Sequence, residues 1–265
     1  MATTYLDTIL ESHRRRAQQD DRDWEARVDQ VRYEGPSFVL ALRQGSSPFI
    51  KVIAEVKRRS PSKGLLAAEL DAAALAAVYR DAGASAISVL TDREFFEGSM
   101  EDLMLVRRTV ALPVLRKDFT VSENDVLDAV EAGAGAVLLI VAALSDDELA
   151  SFVELTERCG IDALVEVHDA EEAKRAVDAG GRIIGINQRD LRTFDVDSDR
   201  AASVLASLPR DVLAVCESGL ASVEDVEVAA QRGFDAVLVG EAFVTSSDPS
   251  AVVKAFSLVP SGQRA

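Results

Sequence analysis

Eight short apolar runs follow one another along this chain, and most of them end on a polar residue or a glycine. Successive ends lie about 21 to 36 residues apart, which leaves room each time for one strand and one helix. The runs end at Glu55 and Lys57, Thr91, Lys117, Val141, Glu166, Asn187, Glu217 and Gly240. This cadence is typical of an α/β fold, the (β/α)8 TIM barrel, in which catalytic groups lie at the carboxyl ends of parallel strands. The ionisable residues at these ends therefore predict an enzyme.

The length fits one domain. A chain of 265 residues with 48% hydrophobic content can bury one large core, and a single barrel typically takes roughly 250 residues. We expect one barrel domain over residues 1–265, in which residues 1–47 form an N-terminal helical extension. Leu6, Ile9 and Leu10 lie on one helical stripe after Thr3 and Thr4, which are possible caps. We expect this extension to cover one end of the barrel, with Arg14–Arg16 as a solvated helix face.

Charge and cysteine content restrict the partners. Against 29 Lys and Arg stand 45 Asp and Glu, and the net charge of -16 would repel nucleic acid and anionic membranes. Any anionic substrate must therefore meet a local cluster of positive charge. Cys159 and Cys216 lie far apart without the spacing of metal ligands, and neither a signal peptide nor a long apolar span is visible. These features predict a cytoplasmic protein without a metal site, and we expect a monomer.

Alternation along the strands predicts which side chains face the barrel axis. Glu55 and Lys57 share one face, as do Lys117 and Phe119, and Glu166 starts the corresponding pair on the fifth strand. The sixth and seventh strands offer the sets Gly185, Asn187, Arg189 and Val215, Glu217, Gly219. The outward partners are apolar and suited to packing against helices: Ala54, Val56, Val114, Val165 and Val167. Arg116 also faces outward and must reach a polar environment.

Any one of these charges alone would be equally consistent with a solvated strand end. Together they favour a site, since burying several unpaired ions around one axis costs several kcal/mol for each ion. His168 is better explained as a structural residue, and the two cysteines as packing residues.

Two regions are suited to binding an anion. The loop from Lys57 to Gly64 follows the first strand and carries four basic residues. The turns 217–220 and 239–242 carry glycines where backbone N–H groups can approach a phosphate, at the usual phosphate corner of such barrels. Glu241 beside that corner disfavours an anion, so the backbone would have to bind it.

Several motifs resemble indole-3-glycerol phosphate synthase. They span about residues 50 to 245 and lie on most of the predicted strands. The motifs are Glu55–Gly64, Phe96–Ser99, Leu115–Phe119, Leu164–Asp169, Gly185–Leu191, Glu217–Gly219 and Leu238–Glu241. The resemblance implies conversion of 1-(2-carboxyphenylamino)-1-deoxyribulose 5-phosphate to indole-3-glycerol phosphate, with loss of carbon dioxide and water. It implies neither a metal nor an organic cofactor.

The resemblance also implies roles for individual residues. Lys117 is the candidate acid for ring closure, and Glu166 would act as acid or base in the later steps. Lys57 would hold the phosphate side or donate in dehydration, and Glu55 would orient substrate and lysines. Phe119, Leu138 and Leu191 would line the aromatic ring, Arg189 would approach the carboxylate, and Ser60, Gly219 and Gly240 would cradle the phosphate. The remaining implied substrate-binding residues are Asn187, Glu217, Ser218 and Leu238.

Two features depart from the family pattern, and other functions stay open. Gln188 replaces a small polar residue, and residues 120–125 lack the usual continuation. Another phosphate-binding barrel enzyme is an alternative, either phosphoribosylanthranilate isomerase, which would need a Cys and an Asp, or a Schiff-base aldolase. A non-catalytic barrel that binds a metabolite is the third. Primary tryptophan synthesis and a specialised pathway are equally compatible with these residues.

Overall fold

The computed structural model describes residues 4–43, 48–61, 63–189, 196–262 and 264. Eight parallel strands close into a barrel in which each strand pairs with its neighbours in chain order, and the first closes on the last. The strands are β1 (Lys51–Val56), β2 (Ala86–Leu90), β3 (Val114–Lys117), β4 (Ala136–Ile140), β5 (Asp162–Val167), β6 (Ile183–Asn187), β7 (Leu213–Glu217) and β8 (Ala236–Val239). The expected TIM barrel is confirmed. A hairpin of Arg59–Ser60 and Gly64–Leu65 follows β1.

Helices connect the strands and precede them. They are α1 (Tyr5–Gln19), α2 (Trp24–Val28), α3 (Phe38–Leu42), α4 (Ala72–Asp81), α5 (Arg93–Phe96), α6 (Met100–Thr109), α7 (Glu123–Glu131), α8 (Asp146–Cys159), α9 (Ala170–Asp178), α10 (Ser198–Ser207), α11 (Val223–Arg232), α12 (Glu241–Val244) and α13 (Pro249–Ser257). Ser145 and Ser222 form capping boxes that begin α8 and α11, and left-handed Gly160 and Gly233 end them. Across the described ranges, no helix has both the length and the apolar content of a membrane span.

Two apolar layers lie on the two sides of the strands. Leu115, Leu164 and Val215 belong to the inner layer, around the axis. The outer layer, between strands and helices, contains the expected outward residues Ala54, Val56, Val114, Val165 and Val167. The predicted alternation is therefore confirmed.

Arg116 stays buried among these outward residues. Its Nη2 lies 3.1 Å from Asp118 Oδ2, and its Nη1 donates to the Asp125 carbonyl at 2.6 Å. The guanidinium thus finds polar partners inside the protein.

The N-terminal extension contacts both ends of the barrel, and the expectation of a single end is wrong. Phe38 and Leu42 of α3 are fully buried in the inner layer, and the Val39 N–H donates to Asp162 Oδ2, on the first residue of β5, at 2.9 Å. Helix α3 therefore closes the end where the strands begin.

Helix α1 lies over the opposite end, where the strands finish. Thr4 caps it by a capping box, while Thr3 lies outside the described residues. His13 Nε2 is 2.8 Å from Asp92 Oδ2, just beyond β2. Arg14 pairs with Glu148 and donates to the Ala143 carbonyl at 3.0 Å, so the expectation of a fully solvated arginine face is wrong at Arg14.

Candidate active site

A cavity of about 540 Å³ opens at the carboxyl ends of the strands, a size suited to a small metabolite. Every predicted site residue that the structure describes lines it. These residues are Glu55, Lys57, Ser60, Lys117, Phe119, Leu138, Glu166, Asn187, Arg189, Glu217, Ser218, Gly219, Leu238 and Gly240. Leu191 lies outside the described residues. The barrel thus brings together side chains that are far apart in the sequence.

An ammonium group between two carboxyl groups lies at the centre of the cavity. Lys117 Nζ, from β3, is 3.6 Å from Glu166 Oε2 and 3.9 Å from Glu217 Oε2, on β5 and β7. Burial alone would lower the pKa of Lys117, but the charges of Glu166, Glu217 and Glu55 outweigh it and raise that pKa above its ordinary value. Lys117 is therefore protonated at neutral pH and able to donate a hydrogen bond.

The pKa values of the two carboxyl groups beside Lys117 shift in opposite directions. Burial opposes the charge on Glu166, but Lys117, His168 and the Asn187 amide, whose Nδ2 is 3.2 Å from Glu166 Oε1, lower its pKa. Burial and the charge of Glu166 raise the pKa of Glu217 well above its ordinary value. Of the pair, Glu166 thus favours the carboxylate form and Glu217 holds a proton more readily, a division typical of acid–base sites.

Two glycines make room for these side chains. A Cβ on Gly185 would lie 1.9 Å from Glu217 Oε1, and one on Gly240 would lie 2.5 Å from Glu55 Oε1. Glu217 Oε1 is also buried without a hydrogen-bond partner among the described residues. Positions 185 and 240 therefore need glycine, because the carboxyl groups of Glu217 and Glu55 occupy the space that a Cβ would take.

A second lysine–carboxylate pair comes from β1 and the residue after it. Lys57 Nζ lies 2.7 Å from Glu55 Oε1. Burial would raise the pKa of Glu55, but Lys57 and Lys117 outweigh it and lower that pKa. Glu55 therefore stays ionised and links the two lysines electrostatically.

The turn after β7 is built for close approach of its backbone. Ser218 and Gly219 both adopt left-handed conformations, with φ of 66° and 72°. Gln188 Nε2 donates to the Ser218 carbonyl at 2.8 Å and lies 3.1 Å from Cys216 Sγ. Gln188, which departs from the family pattern, thus anchors this turn. Ser218, which is not glycine, is strained at such a φ, so an anchor of this kind is needed.

The basic loop after β1 only partly faces the cavity. Lys57 and Ser60 line it, whereas Arg58 forms a bidentate pair with Asp102 at 2.6 and 2.9 Å. Arg59 Nη1 lies 3.3 Å from Glu97 Oε1. The prediction of four basic residues for an anion is therefore wrong at Arg58, whose charge is used to fix the loop to α6.

Several lining residues were not predicted. Tyr5, Leu6 and Ile9 from α1 and Phe96 after β2 complete an apolar wall, and the rings of Phe96 and Phe119 are 6.1 Å apart. The helical stripe of Leu6 and Ile9 was visible in the sequence, but nothing there indicates which end of the barrel it covers. Phe96 lies in a motif that resembles the family, which was the available signal.

One buried cluster has metal-ligand chemistry. His13, Asp92 and Asp118 place three ligand-type atoms within 4.8 Å of one another. Their oxygens already bind protein groups: Asp92 Oδ1 accepts from the Phe95 N–H at 2.6 Å, and Asp118 Oδ2 pairs with Arg116. The His13 ring also lies 5.3 Å from that of Phe119. The cluster is therefore best explained as the anchor of α1 above the cavity.

Comparisons with known proteins agree with this geometry. The family model described as indole-3-glycerol phosphate synthase matches residues 6–256. A protein of that name from Micrococcus luteus is 53% identical over 207 residues, covering 78% of this chain and 77% of the relative. One from Mycolicibacterium vanbaalenii is 47% identical over 257 residues, covering 95% and 93%. A solved 3-hexulose-6-phosphate synthase has a TM-score of 0.66 at 14% identity, covering 80% of this chain and 100% of that one, and shows the shared fold alone.

Proposed function

The chain belongs to the indole-3-glycerol phosphate synthase family and catalyses its reaction, and we propose that Lys117 is the acid that closes the indole ring. The enzyme is a carboxy-lyase of tryptophan biosynthesis that acts on a small phosphorylated substrate. One observation supports the proposal most: Lys117 is a buried ammonium between the carboxyl groups of Glu166 and Glu217.

Ring closure requires an acid beside the substrate carbonyl. The ring carbon that bears the carboxylate attacks this carbonyl, whose oxygen gains negative charge and takes a proton. Lys117 supplies that proton, and Glu166 and Glu217 hold its ammonium group in position. Carbon dioxide then leaves as the ring becomes aromatic again.

Dehydration requires a second proton transfer. The nitrogen lone pair expels the remaining hydroxyl as water, helped by an acid. Glu166 acts as acid or base in this step, Glu217 contacts the substrate hydroxyls, and Glu55 orients substrate and lysines. Lys57 holds the phosphate side or donates in dehydration.

The substrate lies across the cavity in this proposal. Ser60, Ser218, Gly219 and Gly240 cradle the phosphate, and Arg189 approaches the carboxylate. The aromatic ring packs against the wall that includes Phe119, Leu138 and Leu238. Asn187 orients Glu166, to which its amide already donates.

We also propose that the whole chain functions as one barrel domain and a cytoplasmic monomer, with neither nucleic acid nor membrane as a partner. The net charge of -16 supports the last two points, since it repels polyanions.

Lys117→Ala tests the proposal. We expect this substitution to lower kcat by at least about 10³-fold, while the Kd for the carboxyphenylamino-deoxyribulose phosphate, measured by calorimetry, stays within about tenfold. Turnover is followed by indole fluorescence without added metal. Lys174→Ala is the matched control because the Lys174 side chain is 76% exposed and pairs only with its helix neighbour Asp178 among the described residues. If Lys117→Ala retains most activity, Lys117 has no part in the mechanism.

A further inference from the structure

His168 follows β5 and lies between two acidic side chains. Its backbone N–H donates to Glu172 Oε2 at 2.8 Å, and its ring Nδ1 is 3.0 Å from the same oxygen. On the other side, Nε2 lies 3.6 Å from Glu166 Oε1. One imidazole thus connects the first turn of α9 with the candidate catalytic carboxylate.

The contact with Glu172 fixes the tautomer of the ring. An ionised carboxylate only accepts hydrogen bonds, so Nδ1 must carry a hydrogen. In a neutral imidazole the lone pair is then on Nε2. The neutral ring would point this lone pair at Glu166.

Nε2 needs a proton in its contact with Glu166. This atom is buried and has no hydrogen-bond partner within the ranges that the structure describes. A lone pair facing a carboxylate oxygen is repulsive, and a buried polar atom without a partner costs free energy. A proton on Nε2 turns this repulsive contact into an attraction between opposite charges.

We propose that His168 is a positioning residue whose imidazolium forms an ion pair with Glu166 across the 3.6 Å between Nε2 and Oε1. The proton stays on Nε2, and its positive charge favours the ionised form of Glu166. The inference rests on the proposed role of Glu166.

The surrounding charges favour this proton on His168 in the free enzyme. Burial would lower the pKa of His168, but the hydrogen bond to Glu172 and the charges of Glu166 and Glu172 outweigh it and raise that pKa. Arg200 on α10 acts in the opposite direction. The imidazolium therefore persists above the ordinary histidine pKa of about 6.5.

The ion pair would serve the proposed reaction. Glu166 has to return to its carboxylate form after each cycle. His168 lies beside Glu166 and outside the residues that line the cavity. Its positive charge can therefore favour that form without occupying the substrate site.

NMR titration of the ring nitrogens tests the ion pair directly. The chain has two histidines, so protein labelled with ¹⁵N-histidine gives two sets of ring signals, and His168→Asn identifies its own. We expect the His168 ring to keep its hydrogen on Nδ1 throughout the titration. Its midpoint should lie above the ordinary histidine pKa of about 6.5. Glu166→Gln should lower the midpoint of His168 by one pH unit or more, a tenfold change in proton affinity.

Glu217→Gln is the matched control, because it removes another carboxyl group of the same cavity. Among the described residues, the acidic partners of His168 are Glu166 and Glu172, not Glu217. It should shift the midpoint of His168 less than Glu166→Gln does. A neutral His168 with its hydrogen on Nε2, or a midpoint that Glu166→Gln leaves unchanged, overturns the inference.

Kinetics then test the role in turnover. His168→Asn should change the pH dependence of kcat while the KM stays within about twofold, and an unchanged pH profile overturns the role of His168. The titration needs no substrate, so the two proposals can fail separately. If Glu166→Gln retains full activity while the titration shifts as expected, the proposed role of Glu166 fails and the ion pair stands.

Discussion

Phe38→Ala would open the end of the barrel that α3 closes. Phe38 is fully buried in the inner layer, beside the first residues of several strands. Truncating a buried Phe removes its transfer free energy and leaves a cavity, together worth about 3–5 kcal/mol. At roughly 2–4 °C for each kcal/mol in a chain of this size, the midpoint of thermal unfolding should fall by on the order of 10 °C. Urea unfolding followed by circular dichroism measures the free energy.

The control for this experiment is on the same helix. Leu40 is 68% exposed, so Leu40→Ala should change the free energy of unfolding by no more than about 0.5 kcal/mol. Because α3 and the cavity lie at opposite ends of the barrel, the kcat of Phe38→Ala at 25 °C should stay within about twofold. A loss of stability no larger than that of Leu40→Ala would refute the reasoning, since Phe38 would then not close the barrel.

Two further predictions concern the cavity and the docking of α1. Gly185→Ala should force the Glu217 carboxyl group away from its position and lower kcat about as much as Glu217→Gln does; full activity in a kinetic assay would contradict this. The hydrogen bond from Arg14 lowers the pKa of Glu148 to about 2. Glu148 therefore stabilises the fold at pH values above its unfolded-state pKa of about 4.3, and this stabilisation is lost as the pH falls towards 2. Arg14→Met should flatten that loss in urea titrations at several pH values, and parallel curves for both proteins would argue against it.

Local patterns were sufficient to predict the barrel and most of the cavity. Apolar runs that end on charged residues located the strands, and alternation assigned Glu55, Lys117 and Glu166 to the inner face. Both signals act over a few residues, so they can be recognised without knowing the fold.

The failures came from contacts between distant parts of the chain. Arg58 lies in a basic loop, but Asp102 on α6 binds it, and no pattern near Arg58 indicates that pairing. The helices α1 and α3 both carry apolar residues, and only tertiary packing assigns them to opposite ends. The raised pKa of Glu217 likewise depends on burial and on Glu166, which are properties of the assembled site.

The burial of two lysine ammonium groups in the cavity makes the rate of substrate binding depend on ionic strength. Lys57 and Lys117 have side chains only 17% exposed, inside a molecule of net charge -16. An approaching phosphate ester first meets the repulsive outer field and feels these ammonium groups only at short range, because the Debye length is about 8 Å at physiological salt. Added salt screens the repulsion more than the buried attraction, so it speeds diffusional encounter while changing the dissociation rate little.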